Sequence, residues 1–285
     1  MFSLFAAKGQ LGIDFGDSIK IAEFKDNHFK TAVYDKLSKE DLKEFSAQKV
    51  ITAIGSDDVK VKFIPLATKL NDSELKEMVS LQFEADDLVI QYDIVDYLDK
   101  KYVIGLAVNK DIVQSKFDQI RDLKLKAKVI ETEFHANLRF LYYQYPNLKD
   151  TVSLVDIGRE KTDLIIAQQG ELLFFRKVDF AGRQITERLA KINRISFSEA
   201  EKYKKSGVDK EELKIILEEL RSQIYSSIDY FQSEYKGRVS KIFLTGGGSN
   251  FKGLKNYLED QLGIEVESIE DSLFSLAKGL ALREL

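Results

Sequence analysis

The feature that most constrains this chain is a short phrase used twice. Residues 11–20 read LGIDFGDSIK and residues 153–167 read SLVDIGREKTDLIIA. In each, an apolar strand runs into an acid (Asp14, Asp156), one apolar residue, a glycine (Gly16, Gly158) and a polar turn, before a second strand. A single D-x-G is a plain hairpin, since Asp and Gly both favour turns. Two copies, each opening one half of a 285-residue chain, predict two similar halves. Two facing hairpins with carboxylates at their tips make a cleft suited to a polyphosphate held through a divalent cation. The turn glycines let backbone N–H groups approach phosphate oxygens, and the acids orient water or Mg²⁺.

A third element completes that pattern. TGGGSNFKGLKNYLEDQLG carries an apolar strand into Gly246, Gly247 and Gly248, and a helix starts just beyond. Each glycine costs about 1 kcal/mol against alanine inside a helix, so three in a row belong to neither helix nor strand. They fit a flexible loop, or a place where backbone lies flat against a ligand ring and phosphates at a helix start.

Composition narrows the classes. With 44% hydrophobic and 32% charged residues the chain reads as globular, with room for two cores. A net charge of −4 with scattered Lys and Arg offers no nucleic-acid footprint. The absence of cysteine excludes disulfides and thiolate metal sites, and two distant histidines, His28 and His135, argue against a histidine-held metal. No apolar run approaches the roughly 18 residues of a membrane span. MFSLFAAKG is too short for a signal-peptide core, so the expected location is cytoplasmic.

The remaining pattern divides the chain at 1–150 and 151–285. After a first meander, residues 58–128 read β-α-β-β-α-β, ending on the strand KAKVIE, a small split α+β unit inserted in the first half. The second half repeats the meander, then carries a helical region over 183–238. Its last helix opens on an Asp209/Glu212 capping box, stops at Gly237, and lines up Leu213, Ile216, Leu217, Leu220, Ile224, Ile228 and Phe231 on one face.

Two D-x-G hairpins followed by strand-GGG-helix resemble the actin/Hsp70/sugar-kinase ATPase superfamily. Within it the chain resembles the PilM family, the actin-like proteins of type IV pilus assembly. The likeness rests on MFSLF, LGIDFG, the inserted unit, LVDIG, DFAGRQITERLA, SEAEKYKKSG, TGGGSNFKGLKNYLEDQLGIEVE and SLAKGLALRE taken together. The fold it implies is α/β: an actin-like (ribonuclease H-like) two-domain fold with a small α+β insertion in the first half.

The resemblance implies ATP and Mg²⁺ as cofactors. It makes Asp14, Gly16, Asp17, Ser18 and Lys20 the first phosphate loop, and Asp156, Gly158, Lys161, Thr162 and Gly182 the second. Asp14 and Asp156 would orient the metal. Gly246, Gly247, Gly248 and Ser249 would take the nucleoside and α-phosphate. Glu201 and Lys204 match an A-E-x-x-K helix that brackets ribose and adenine; read alone, that helix is a solvated basic face. Glu133 matches a catalytic acid that positions water or metal, and is equally an acid favoured in a helix's first turn by the macrodipole.

The implied partner is the N-terminal cytoplasmic tail of a PilN-like inner-membrane protein, bound as an extended peptide near the first half and its insert. Other pilus assembly proteins would join it, with the chain peripheral at that membrane. Some positions depart from the family. Asp17 stands where a small hydroxyl residue faces phosphate, which costs affinity unless a metal or Lys20 neutralises it. Arg159, Glu160 and Lys161 replace small residues, and Ala181-Gly182 replaces a Gly-Gly pair. At most a slow ATPase is implied. Three alternatives stand beside this: a scaffold without nucleotide, as in type II secretion L proteins; a small-molecule kinase, for which no spare catalytic acid is evident; and an FtsA-like filament former, whose C-terminal membrane helix has no counterpart after GLALREL.

Overall fold

The computed structural model describes residues 10–47 and 49–284. They form two compact units, one running to Tyr143 and resuming at Phe274, the other comprising Gln144–Leu273.

In the first unit, β1 (Gln10–Phe15), β2 (Ile19–Lys25) and β3 (His28–Tyr34) form the meander. Asp26 and Asn27 both take positive φ (50° and 61°) at the β2–β3 tip, the primed turn whose twist suits flanking strands. β4 (Lys49–Ile54) pairs parallel with β1. Then come β5 (Lys60–Leu66), α1 (Asp72–Ser80), β6 (Leu88–Tyr97), β7 (Lys100–Asn109) and α2 (Lys110–Asp122). The insert has its own sheet, ordered β5-β7-β6, closed by Leu75 and Val79 of α1 and by Phe83 just beyond it, against Val103 and Ala107.

The strand KAKVIE does not belong to that sheet. β8 (Lys126–Thr132) pairs parallel with β4 and completes the main sheet, β3-β2-β1-β4-β8. Packing explains this: Ile120 of α2 is fully buried in one core with Leu11, Ile13 and Val50. So α2 is the crossover joining two parallel strands, and the insert's own sheet ends with β7.

The opposite face of the main sheet is covered by α3 (Glu133–Gln144) and the closing helix Ser275–Ala281, through Ile51, Ala53, Ala136 and Leu280. Two glycines set how closely they approach. A Cβ on Gly12 would lie 2.0 Å from the Ala277 carbonyl oxygen, and one on Gly279 would lie 1.9 Å from that of Ala136. Charge then fastens the segment. Arg139 donates to both oxygens of buried Glu131 at 2.7 Å and to Gly279 O at 2.8 Å, and Arg283 donates to Glu131 at 2.5 Å. The chain from Phe274 thus returns to the first unit, where a cut at residue 150 assigns it to the second.

The second unit repeats the plan. β9 (Thr151–Ile157), β10 (Thr162–Gln168) and β11 (Glu171–Val178) make the meander, and the sheet order β11-β10-β9-β12-β13 matches that of the first. Between its third and fourth strands lie α4 (Gly182–Asn193), α5 (Phe197–Ser206) and α6 (Lys210–Tyr235). β12 (Lys241–Thr245), α7 (Leu254–Leu262) and β13 (Glu265–Ser268) follow. α6 buries the seven apolar residues its 3.6-residue period predicts. Its ends differ from expectation. Asp209 accepts the Glu212 N–H at 2.9 Å, but the Glu212 carboxylate turns to Asn193 and to Tyr203 Oη (3.1 Å), so only half a capping box forms. The left-handed stop is Lys236 (φ 58°), one residue before Gly237.

Candidate functional site

In the first unit the β1–β2 register sets Asp14 directly opposite Lys20. Lys20 Nζ lies 3.0 Å from Asp14 Oδ2 and also donates to Ser18 O at 3.3 Å, with both side chains largely shielded. The sequence suggests Lys20 as a neutraliser of Asp17; the structure gives it to Asp14, while Asp17 is exposed in the turn. A Cβ on Gly16 would sit 3.3 Å from Asp14 Oδ1, a tight contact that only a small shift of the Asp14 side chain relieves. Glu133, first residue of α3, accepts the buried Ser56 N–H at 3.2 Å and so fastens the turn after β4.

The corresponding turn in the second unit is tighter. Gly158 N–H donates to Lys161 O (2.9 Å), Gly182 N–H to Gly158 O (3.0 Å) and Arg183 N–H to Arg159 O (2.8 Å). These bonds zip the Asp156 turn onto the start of α4. A Cβ on Gly158 would meet Lys161 O at 2.9 Å, and one on Gly182 would meet Gly158 O at 3.0 Å, so neither position readily takes a side chain. The Thr162 hydroxyl is fully buried and donates to Phe180 O at 2.7 Å, which holds β10 to the chain entering α4. Glu160 sits between two guanidinium groups, 3.5 Å from Arg159 and 3.3 Å from Arg183.

Lys204 is not on a solvated face. Its ammonium donates to Gly182 O (3.0 Å) and Thr186 Oγ1 (3.1 Å) and lies 3.5 Å from Glu201, which Thr186 also contacts. Burial holds Lys204 below the usual lysine value, with Glu201 opposing that shift. The A-E-x-x-K helix, α5, thus directs its polar face at the first turn of α4.

The three glycines do two different jobs. Gly246 has φ +80°, and a Cβ there would fall 2.3 Å from Asp156 Oδ1 and 2.5 Å from Ile157 O. Gly248 would clash with Ile157 at 2.4 Å. Both are glycine so that the loop can press against the Asp156 turn. Gly247 is exposed, its nearest neighbour Leu273 Cδ1 at 3.7 Å, so it presents backbone outward. Ser249 turns inward and donates to Gly246 O at 2.6 Å. Within the second unit, therefore, Asp156, Gly158, Gly182, Lys204 and the glycine triplet form one connected set, while Thr162 and Ser249 spend their hydroxyls on the scaffold.

Two residues escaped the sequence reading. β9–β10 pairing sets Asp163 opposite Asp156, and β10–β11 pairing sets Lys177 opposite Asp163. Asp163 is 3% exposed in an otherwise apolar buried strand, and that misfit of an acid in TDLIIA was the available signal. Among the described residues no three His, Asp or Glu side chains gather as a metal cage.

A different feature lies in the first unit. The outer strand β8 and α2 border a cavity of about 600 Å³ lined by Phe117, Arg121, Leu125, Lys126, Ala127 and Lys128 among others. Phe117 is 43% exposed there, and β8 ends the sheet, so an aromatic anchor stands beside a strand edge.

The family described as "Type IV pilus assembly protein PilM" matches residues 21–284, so the Asp14 turn lies ahead of the matched residues. Cell division protein FtsA of Buchnera aphidicola subsp. Baizongia pistaciae (strain Bp) is 31% identical over 151 residues. That match covers 40% of this chain and 36% of FtsA, little more than a third of that relative's length. The solved "PilM-PilN type IV pilus biogenesis complex" superposes with a TM-score of 0.82 at 21% identity, covering 96% of this chain and 98% of that one. MreB 5 of Spiroplasma citri, solved bound to AMPPNP, gives a TM-score of 0.56 at 14% identity, covering 96% and 95%. These likenesses establish the actin-like two-unit fold.

Proposed function

The chain belongs to the PilM family of type IV pilus assembly proteins, and on that premise we propose that it is a nucleotide-binding scaffold that docks the cytoplasmic tail of a PilN-like inner-membrane protein. The observation that carries the docking is the β8 edge beside α2. An edge strand offers unpaired N–H and C=O groups in a row, and an extended peptide adds to such a row while a neighbouring pocket selects its side chains. Phe117 supplies the apolar contact, with Lys126 and Lys128 also lining the groove, while Arg121 pairs with Asp118 at 2.8 Å. No helix of the described residues is long and apolar enough to cross a membrane; a bound tail would hold this scaffold at one. Calorimetric titration of the N-terminal tail peptide of a PilN-type protein tests this. Phe117→Asp, at an exposed position, is expected to abolish binding with the melting temperature unchanged. Equal affinity in the variant would remove the groove from the account.

The nucleotide half of the reading concerns ATP with Mg²⁺. In the second unit Asp156 would orient the metal, the Gly158–Lys161 turn and the start of α4 would take phosphates, and Gly247 would present backbone to the nucleoside. In the first unit the Gly16–Ser18 turn would offer its amides, with Lys20 balancing Asp14. Glu133 already accepts a main-chain N–H, which favours anchoring over catalysis, so turnover is expected to be slow. One observation favours a second reading, a scaffold without nucleotide: Thr162 and Ser249 direct their hydroxyls at the protein's own carbonyls. Thermal stabilisation by MgATP separates the two.

A further inference from the structure

The insert's three-stranded sheet has two outer strands, and they are protected very differently. β5, at one edge, carries Lys60, Lys62 and Pro65. Lysines and a proline on an edge strand are the usual means of preventing another strand from pairing there. β6, at the other edge, is 10 residues long, LVIQYDIVDY, with no Lys, Arg, Pro or Gly. Its only strand partner among the described residues is β7. Val89 is 38% exposed and Ile94 44% exposed on this strand. A long, β-branched edge whose only charges are Asp93 and Asp96 invites a further strand.

The sequence of β6 specifies which one. Residues 89–95 read VIQYDIV, nearly the same in both directions about Tyr92. Two such strands laid antiparallel about a two-fold axis at Tyr92 would set Val89 opposite Val95 of the second copy and Ile90 opposite Ile94. Gln91 would face Asp93, and Asp96 would face Leu88, so no two like charges oppose each other. Cross-strand pairs of β-branched residues are the favourable unit of sheet assembly, and opposed like charges the unfavourable one. The register is also consistent in face. Ile90 and Tyr92 pack on the α1 side of the sheet, and pairing even-numbered residues with even-numbered ones keeps the α1 side of one copy beside that of the other. A two-fold contact of this kind closes on itself, because the same patch serves both partners.

We propose that the β6 edge is a self-pairing surface through which two copies of this chain join their insert sheets into one of six strands. The contact is separate from the β8 edge and does not depend on the peptide or nucleotide reading. Because the chain has no cysteine, single-cysteine variants report the register directly. Opposed residues in antiparallel strands have Cβ atoms about 5 Å apart, within adjustment of disulfide geometry. Under mild oxidation, full-length Tyr92→Cys is expected to cross-link to a dimer, whereas Leu88→Cys, far from its own copy in this register, is not. By sedimentation velocity the wild type should show a concentration-dependent dimer. Ile94→Lys, at an exposed position, should return it to the 32.6 kDa of one chain with unchanged melting. A wild type that stays monomeric up to its solubility limit overturns the proposal. So does a dimer indifferent to Ile94→Lys, or Leu88→Cys cross-linking as readily as Tyr92→Cys. If Ile94→Lys does not fold, the cysteine pair decides.

Discussion

In the first unit Asp14 faces a lysine across its hairpin; in the second Asp156 faces another acid, Asp163. The strand order around the two turns is the same, so the contrast is one of side chains and packing. The Asp14 turn is neutralised by Lys20, and a Cβ on Gly16 would crowd only the Asp14 side chain. The Asp156 turn is pressed by Gly246 and Gly248 and bonded to α4. One turn carries its counter-charge directly opposite its acid. The other is rigid, and the lysine of its meander, Lys177, stands opposite Asp163 rather than Asp156. The lesson is that a duplicated motif does not duplicate its physical demands.

Alanine at the turn glycines should break or sharpen that contrast most strongly. Gly246→Ala forces a side chain into a glycine-only backbone region and onto Asp156, and is expected to cost about 3 kcal/mol or more. Gly16→Ala meets the Asp14 carboxylate at 3.3 Å, a contact with a side chain that can shift, and should cost about 1 kcal/mol. Urea unfolding of the two variants measures the difference; equal losses would mean the turns are equally packed.

The next largest effect concerns ligand. A ligand that binds only folded protein at a hundredfold excess over Kd stabilises by about 2.7 kcal/mol, so MgATP should raise the melting temperature by a few degrees. Asp14→Ala, Asp156→Ala and Gly247→Val should each remove most of that rise. Gly247→Val is the cleanest of the three, because a Cβ there meets only Leu273 Cδ1, at an ordinary 3.7 Å. No rise in the wild type with millimolar MgATP would favour the scaffold without nucleotide.

The smallest effect is a pH dependence confined to the second unit. Tyr145 Oη donates to Glu267 at 2.5 Å and Lys241 at 2.9 Å, and these hydrogen bonds hold Glu267 below the usual glutamate value. A carboxylate whose folded-state value is depressed contributes stability that is complete above its unfolded value and is lost as pH falls through the folded one. Tyr145→Phe should therefore lower the melting temperature at neutral pH and flatten its decline below about pH 4.5. An unchanged acid limb would show that Tyr145 does not set the Glu267 value.

The sequence exposed what depends on local pattern. Both D-x-G hairpins, the strand into Gly246 and the apolar stripe of α6 follow from alternation, period and turn chemistry. It hid what depends on distant partners. KAKVIE alternates like any strand, and only Ile120 in the main core reveals which sheet it joins. Gly12 and Gly279 look ordinary until the closing helix and Ala136 are found against them. Thr162 and Ser249 read as ligand-facing hydroxyls, because nothing local announces the carbonyls that accept from them. Asp163 reads as a polar step in a strand until register sets it opposite Asp156.

The separation of peptide docking at β8 from the nucleotide turns is the central claim, and hydrogen exchange on the intact chain tests it in one measurement, with MgATP and with a PilN-type tail peptide in turn. MgATP is predicted to slow exchange at Gly16–Ser18, Gly158–Lys161 and Gly246–Ser249. The peptide is predicted to slow it along the start of β8, at Lys126–Val129, and to leave the glycine loops unchanged. Peptide protection confined to the second unit, or MgATP protection absent from all three turns, would contradict the account.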